Sequence, residues 1–146
     1  MEPSPSHPVP FEVKRIDHVV LRVTDIERSI HFYERLLGCV VIRRRPDLGL
    51  AHVRAGSSLI DLVSVEGPTG RKGGAAPGEE GRNMDHLCLR VEPFVESDIL
   101  ALLEANSVPR SSKAQINFGA EGDGPSIYLM DPDANLIELK GSSVGI

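Results

Sequence analysis

The sequence contains no tryptophan and only six other aromatic residues, four phenylalanines and two tyrosines. In proteins that bind single-stranded nucleic acid, the bases stack on aromatic side chains, and this chain offers few of them. The chain also has a formal net charge of −5, from 21 acidic and 16 basic residues, which repels a polyanion. We therefore expect no nucleic-acid partner, and the short basic run Arg43-Arg44-Arg45 is interpreted as a solvated strand edge.

Cysteine and long apolar runs are also scarce. Cys39 and Cys88 are the two cysteines, and each lies in an apolar run, which is typical of buried thiols in a reducing compartment. No stretch approaches the roughly 20 apolar residues that a membrane-spanning helix needs, and the N-terminal region lacks the apolar core of a signal peptide. These features predict a cytoplasmic protein with no membrane partner.

A length of 146 residues fits one domain that buries its own core. Residues 1–12 are rich in proline and serine, a composition that does not pack, so a flexible tail is expected there. The single domain is predicted to cover residues 13–142.

An internal repeat organises this domain. Residues 17–23 read DHVVLRV and residues 85–91 read DHLCLRV, with five identities in seven positions at an offset of 68. Near the end of each half, Ile60-Asp61-Leu62 matches Ile137-Glu138-Leu139. Duplication explains both echoes. The repeat predicts two modules, residues 13–66 and 83–142, joined by the glycine-rich linker 67–82.

Each half has the same order of predicted elements. Thr24-Asp25 is a helix-start signal, and apolar residues recur at helical spacing after it until Gly38. Strand-like runs surround this helix and the matching one over residues 94–106. The predicted strands cover 14–23, 39–45, 49–54 and 58–65 in the first half, and 84–91, 113–117, 125–131 and 135–140 in the second. The fold class is therefore α+β, with two tandem βαβββ modules that form a curved, open sheet.

Strand alternation brings several metal-binding residue types to the faces that point away from the helices. His18, His86, Glu138 and Asp61 all have this parity. Two imidazoles with carboxylates suit a divalent Fe, Mn, Ni, Co or Zn ion. The alternative is that each histidine is a hydrogen-bonded core residue and each carboxylate pairs with an arginine. The symmetry of the repeat favours the metal site.

Three segments of the sequence resemble the vicinal oxygen chelate superfamily, which includes glyoxalase I, bleomycin resistance proteins, extradiol dioxygenases and fosfomycin-resistance transferases. They are Ile16-Asp17-His18-Val19-Val20-Leu21, the helix segment 29–38 (SIHFYERLLG) and the tail segment 126–139 (SIYLMDPDANLIEL). The resemblance implies the glyoxalase/bleomycin resistance/dihydroxybiphenyl dioxygenase fold and a homodimer.

The resemblance also implies roles for particular residues. His18, His86 and Glu138 correspond to metal ligands, and Asp61 stands where glyoxalase-type members have a glutamate that ligates the metal and doubles as proton-transfer base. Glu138 and Asp61 are thus the candidate catalytic residues. Arg22 matches an arginine that holds a substrate carboxylate in glyoxalase I-like members. Arg90 and Lys140 share its parity, which predicts binding of an anionic small-molecule substrate through Arg22, Arg90 and Lys140.

Three functions follow from this resemblance. The first is a metal-dependent glyoxalase-like lyase or isomerase that acts on a small substrate with vicinal oxygens through an enediolate-type intermediate. The second is an Fe(II)-dependent extradiol-type dioxygenase. The third is a non-enzymatic protein that binds a small molecule or antibiotic and confers resistance.

Overall fold

The computed structural model describes residues 8–144 and contains two modules with the same order of elements. The elements of the first module are β1 (His18–Val23), α1 (Ile26–His31), β2 (Val40–Arg45), β3 (Leu50–Ala55) and β4 (Ser58–Ser64). Those of the second are β5 (Leu87–Arg90), α2 (Glu96–Ala105), β6 (Gln115–Gly119), β7 (Gly122–Met130) and β8 (Leu136–Lys140). The predicted βαβββ order and α+β class are confirmed.

Each module forms its own four-stranded mixed sheet. Sheet A has the order β1-β4-β3-β2, and sheet B has the order β5-β8-β7-β6. In both, the first strand runs parallel to the last, and the other neighbours are antiparallel. Each module of the described chain thus contributes its own sheet, because β1 and β5 have no ladder between them.

The first helix starts where the sequence predicts and changes its winding midway. The side chain of Asp25 accepts a hydrogen bond from the backbone N–H of Arg28 at 3.1 Å, which caps the helix. After His31 the chain continues as one wider π-helical turn, Phe32–Leu36, and Gly38 then adopts a φ of +71°. Such a φ favours glycine, which explains the end of the helix there.

Each sheet packs one face on the helices and leaves the other face open. The helix-side face of sheet A carries buried apolar residues such as Leu21, Val53 and Leu62, and that of sheet B carries Ile127 and Leu139. The alternate residues point to the opposite side, which we call the open face of each sheet. All the predicted site residues lie on the two open faces or at their edge.

The two modules share one packed interior. Phe32, Leu37, Leu87 and Leu89 contact the core clusters of both modules. A buried polar contact also joins them, because the hydroxyl of fully buried Tyr33 donates to Asp131 Oδ2 at 2.7 Å. Desolvation of the phenol, followed by the nearby Asp131 charge, raises the pKa of Tyr33 well above its ordinary value. The turn around Asp131 therefore fixes the second module against the π-helical turn that follows α1.

Some expectations concern the margins of the fold. Residues 1–7 of the predicted tail lie outside the described part, whereas Val9 and Phe11 are exposed and lie outside any strand. Cys39 is buried as predicted, but the prediction for Cys88 is wrong because this residue is exposed; its strand position directs it to the open face of sheet B. No helix in the described chain is long and apolar enough to cross a membrane.

Candidate functional site

The open face of sheet B brings His86 and Glu138 into direct contact. His86 precedes β5, Glu138 lies in the middle of β8, and His86 Nε2 is 3.0 Å from Glu138 Oε1. Glu138 is only 4% exposed, and its ion-pair partner within residues 8–144 is His86. A buried carboxylate needs a cation or hydrogen-bond donors, so this pair is a built polar site.

Neighbouring side chains hold the second oxygen of Glu138. The buried hydroxyl of Ser126 donates to Glu138 Oε2 at 2.6 Å, and Asn117 Nδ2 lies 3.5 Å from the same oxygen. The phenol of Tyr128 accepts from Asn117 at 3.3 Å, and its ring packs edge-on against His86 with centroids 5.5 Å apart. These contacts fix the carboxylate so that Oε1 points toward His86.

Glu138 also changes the acidity of its neighbours. Desolvation and the Glu138 charge raise the pKa of Tyr128 above its usual value and that of the Cys88 thiol to about 11. Near neutral pH Cys88 is therefore a protonated thiol, a weak nucleophile.

The open face of sheet A carries a related arrangement with different contacts. Asp61, 6% exposed, lies in β4 directly opposite His52 of β3, and His52 Nδ1 is 2.9 Å from Asp61 Oδ1. His18 lies at the start of β1 and remains about half exposed. A hydrogen bond with Asp17, together with the nearby Asp61 charge, raises the pKa of His18. Asp61 thus pairs with His52 and acts on His18 only through its charge.

Both predicted metal-binding histidines are oriented by a hydrogen bond with the aspartate that precedes them. His18 Nδ1 is 2.8 Å from Asp17, and His86 Nδ1 is 2.7 Å from Asp85. A carboxylate at Nδ1 leaves Nε2 free for a ligand and raises its basicity, as is common around metal-bound histidines. In each module the residue before the histidine therefore directs it toward the open face.

The predicted ligands divide between the two sheets, with one histidine and one acid on each. His86 and Glu138 meet on sheet B, and His18 and Asp61 share the open face of sheet A. Within residues 8–144, no three histidine, cysteine, aspartate or glutamate side chains lie close enough together to hold a metal ion. A cavity of about 470 Å³ between the modules has His18, Cys88 and Arg90 in its wall, but Glu138 lies outside it.

Arg22 contacts the linker, and its predicted role in substrate binding stays a prediction. The guanidinium of Arg22 donates to three backbone carbonyl oxygens of the linker, those of Gly70, Gly74 and Ala75, at 2.6–2.9 Å. A Cβ at Gly73 would lie 2.5 Å from this guanidinium, so the linker packs closely on it. These hydrogen bonds hold the linker against β1, because the N–H groups of Arg22 donate to the linker carbonyl oxygens that face them.

Arg90 and Lys140 are engaged as well. Arg90 pairs with Glu121 at 2.8 Å and with Glu92 at 2.7 Å, which raises the pKa of Arg90. Lys140 is buried, and its Nζ donates to the carbonyl of Gly122 at 3.0 Å. Both side chains lie on the open face of sheet B, near Glu138. Their roles in substrate binding stay predictions.

Sequence reasoning missed several site residues. These are Asp17, Asp85, Asn117 and Ser126. The Asp-His dipeptide occurs in both halves of the repeat, so Asp17 and Asp85 had a signal that was available. Asn117 and Ser126 are identified only by their contacts with Glu138 in the folded sheet. Strand register places His52 opposite Asp61 and Tyr128 opposite Glu138, which the sequence alone does not decide.

The donors present fit a divalent metal ion. Each pair combines an imidazole with a carboxylate, the usual mixture for Zn, Fe, Mn, Ni or Co. Contacts from Asp17, Asp85 and Ser126 supply the outer hydrogen bonds that metal sites use to orient ligands. Each pair supplies two donors, which is half of a tetrahedral set.

These features define a protein class: paired βαβββ modules that carry a histidine and a carboxylate at equivalent positions of their open faces. The chain belongs to the Glyoxalase/Bleomycin resistance protein/Dioxygenase superfamily, whose family model matches residues 15–139. The resemblance inferred from the sequence is confirmed.

Individual relatives agree with this membership. The chain is 30% identical to Virulence protein STM3117 of Salmonella typhimurium over 128 residues, which are 87% of this chain and 83% of that protein. It is 26% identical over 136 residues to human mitochondrial methylmalonyl-CoA epimerase, covering 89% and 75% of the two chains. A solved integron cassette protein from the mobile metagenome of V. Pseudocholerae superposes with a TM-score of 0.73 at 26% identity, covering 93% and 100%.

Proposed function

We propose that this protein is a metal-dependent lyase or isomerase of glyoxalase type that moves a proton at a carbon next to an oxygen-bearing carbon of a small substrate. The observation that carries the proposal is the 3.0 Å contact between His86 Nε2 and the buried carboxylate of Glu138. This pair combines two metal-ligand types with a group able to accept a proton. Similarity to an epimerase supports the isomerase reading.

In this proposal His86 and Glu138 from one module and His18 and Asp61 from the other hold the metal ion. When bound, a divalent ion supplies a Lewis acid that polarises oxygens of the substrate. Since the donors lie as two pairs on separate sheets, we propose that the pair of one protomer completes the pair of its partner in a homodimer.

The chain's own residues then provide the proton chemistry. Ser126 donates to Glu138 Oε2 and His86 Nε2 lies 3.0 Å from Oε1, so in this proposal Oε1, on the His86 side, exchanges the proton with substrate. Asp61 Oδ1 is held by His52, which leaves Oδ2 for the same task on the other side. Two carboxylates on separate sheets, Asp61 on sheet A and Glu138 on sheet B, would suit a reaction in which one acid removes a proton and the other returns it.

Metal content gives the first test. Protein expressed with metal supplied should contain about one transition-metal ion per chain, and His86→Ala should lose it because a first-sphere donor is gone. His31→Ala is the matched control, since His31 is an exposed histidine of α1. Elemental analysis of the three proteins measures this. Retention of metal by His86→Ala at the level of the control would refute the ligand assignment.

Activity assays on the metal-loaded protein separate the reactions. Isomerisation of a 2-oxoaldehyde thiohemiacetal, followed by ultraviolet absorbance, tests the lyase, and deuterium uptake from heavy water at the carbon beside a thioester carbonyl tests the isomerase. Oxygen consumption with catechols under ferrous iron would select the dioxygenase instead. Metal-supplied protein that remains empty would leave the binding protein.

A further inference from the structure

We propose that Arg43 and Arg54 form a binding site for a dianionic phosphoryl group on the open face of sheet A. This site deepens the proposed function, because it assigns a charge class to the substrate and a place for its anionic end. The binding itself is testable without any reaction.

Strand register places the two arginines next to each other. Arg43 of β2 lies opposite His52 of β3, and Arg54 lies two residues further along β3, so all three share one face. Residues two apart on β3 are about 7 Å apart. On β2 a register shift between Val41 and Arg43 adds one residue between Arg43 and the position opposite Arg54, and the long arginine side chains extend across this irregularity. Both guanidinium groups therefore reach a ligand placed between them.

Neighbouring arginines show why these two are distinctive. Arg44 pairs with Glu27 of α1, and Arg45 pairs with Asp47 in the following turn at 2.6 Å. Arg43 and Arg54 are exposed and have no ion pair or side-chain hydrogen bond with any residue from 8 to 144. The carboxylate nearest in register, Asp61, is buried and bonded to His52. Two guanidinium groups thus keep their donors available.

Charge selects the ligand class. Two arginines offer two positive charges and two planar sets of donors, which match the oxygens of a phosphoryl group. A phosphate monoester carries about −1.5 to −2 charges near pH 7 and balances both arginines. A single carboxylate would balance one of them.

The position also fits a small substrate. Across the sheet, Arg43 is paired with His52, and His52 is paired with Asp61. In the same way, Arg54 is paired with Leu59, and Leu59 is paired with His18. Each arginine is therefore two strands, about 10 Å of backbone distance, from one member of the sheet A donor pair. A short molecule spans that distance with its phosphoryl end on the arginines and its reacting end near His18 and Asp61.

The test is a titration of metal-free protein with inorganic phosphate at constant ionic strength. The Nε–Hε NMR signals of Arg43 and Arg54 should shift with saturation, and sodium acetate should bind at least about tenfold more weakly. Arg43→Gln/Arg54→Gln should lose phosphate affinity by about tenfold or more. Arg44→Gln is the control and should keep it, since Arg44 contacts Glu27.

Three results would overturn the site: shifts that do not saturate, equal binding of acetate, or an equal loss of affinity in Arg44→Gln. Metal content of the double variant separates this inference from the proposed function. The double variant should still take up metal, because neither arginine belongs to the donor pairs. Wild-type protein that binds phosphate but no metal would refute the proposed function and leave the phosphoryl site standing.

Discussion

The two modules have the same backbone register around their candidate ligands but make different contacts there. In sheet A the residue two places after His18 lies level with Asp61, and in sheet B the residue two places after His86 lies level with Glu138. Yet Glu138 contacts His86, whereas Asp61 contacts His52. Glutamate is one methylene longer than aspartate. Side-chain length is thus one difference between two sites on equivalent backbones.

The strand next to the acid-bearing strand, β3 in one module and β7 in the other, also carries different residues opposite the acid. His52 stands opposite Asp61, and Tyr128 occupies the equivalent place opposite Glu138. A histidine can bind the carboxylate in place of the metal-site histidine, whereas the Tyr128 ring packs edge-on against His86 and leaves Glu138 to it. Duplication therefore supplied the framework, and substitution at matched positions made one half the tighter pair.

Substituting each acid by the other type should have the largest effect on metal affinity, because it reverses the difference in side-chain length between the modules. Glu138→Asp should weaken metal binding at least as much as the loss of an outer hydrogen-bond partner does, about 10–100-fold, because the proposed ligand oxygen is drawn back by one methylene. Asp61→Glu should have a smaller effect, and we expect it to strengthen metal binding because the longer acid extends past His52. Competition with a chelator measures both affinities. Equal losses in the two variants would show that side-chain length does not separate the modules.

Mixing variants sharpens the comparison by asking whether the pairs meet across a dimer. His18→Ala and His86→Ala homodimers each lack one ligand at every site. After unfolding and refolding together, half of the dimers are mixed, and one of their two sites is intact, so about a quarter of the wild-type metal content should return.

The control for this mixture is His86→Ala refolded with Glu138→Ala, two changes in the same module. This mixture should restore no metal, since every site retains one damaged half. If the first mixture also restored none while each variant refolded, the sites would lie within single chains.

A smaller effect is expected at His18, the more exposed of the two histidines. Asp17→Asn removes the hydrogen bond that is the main cause of its raised pKa, so the pKa should fall toward 6.5. Because the folded pKa is raised, this contact stabilises the fold below about pH 6.5. That contribution is lost as the pH rises through the folded pKa. NMR titration of metal-free protein measures the shift, with the exposed linker residue Glu79 changed to Gln as control. An unchanged His18 pKa in Asp17→Asn would contradict the assigned cause.

The fold was largely predictable because its signals are local. Apolar alternation, the cap at Asp25 and the end of the helix at Gly38 each act within a few residues of the chain. Because the second half of the chain repeats the first, each inference about one module also applied to the other. The change to π-helical winding after His31 was missed, since nothing in the apolar spacing distinguishes it.

For the site, the sequence predicted only the strand face on which each residue lies. Alternation correctly placed His18, His86, Asp61 and Glu138 on open faces or at their edge, because a strand's side chains alternate by geometry alone. Which of them touch depends on contacts between distant segments. Arg22 shows the limit, since its parity was right while its partners come from a linker about 50 residues away.

By itself, the sequence determined the duplicated βαβββ order, the family and the residue types that line the open faces, because periodicity and repetition are properties of the chain. Only the tertiary structure decided that Glu138 pairs with His86 and that Asp61 pairs with His52. It also decided that Arg43 and Arg54 are exposed without an ion pair to any residue from 8 to 144. Those outcomes depend on cross-strand register and side-chain length, which are set when the strands assemble.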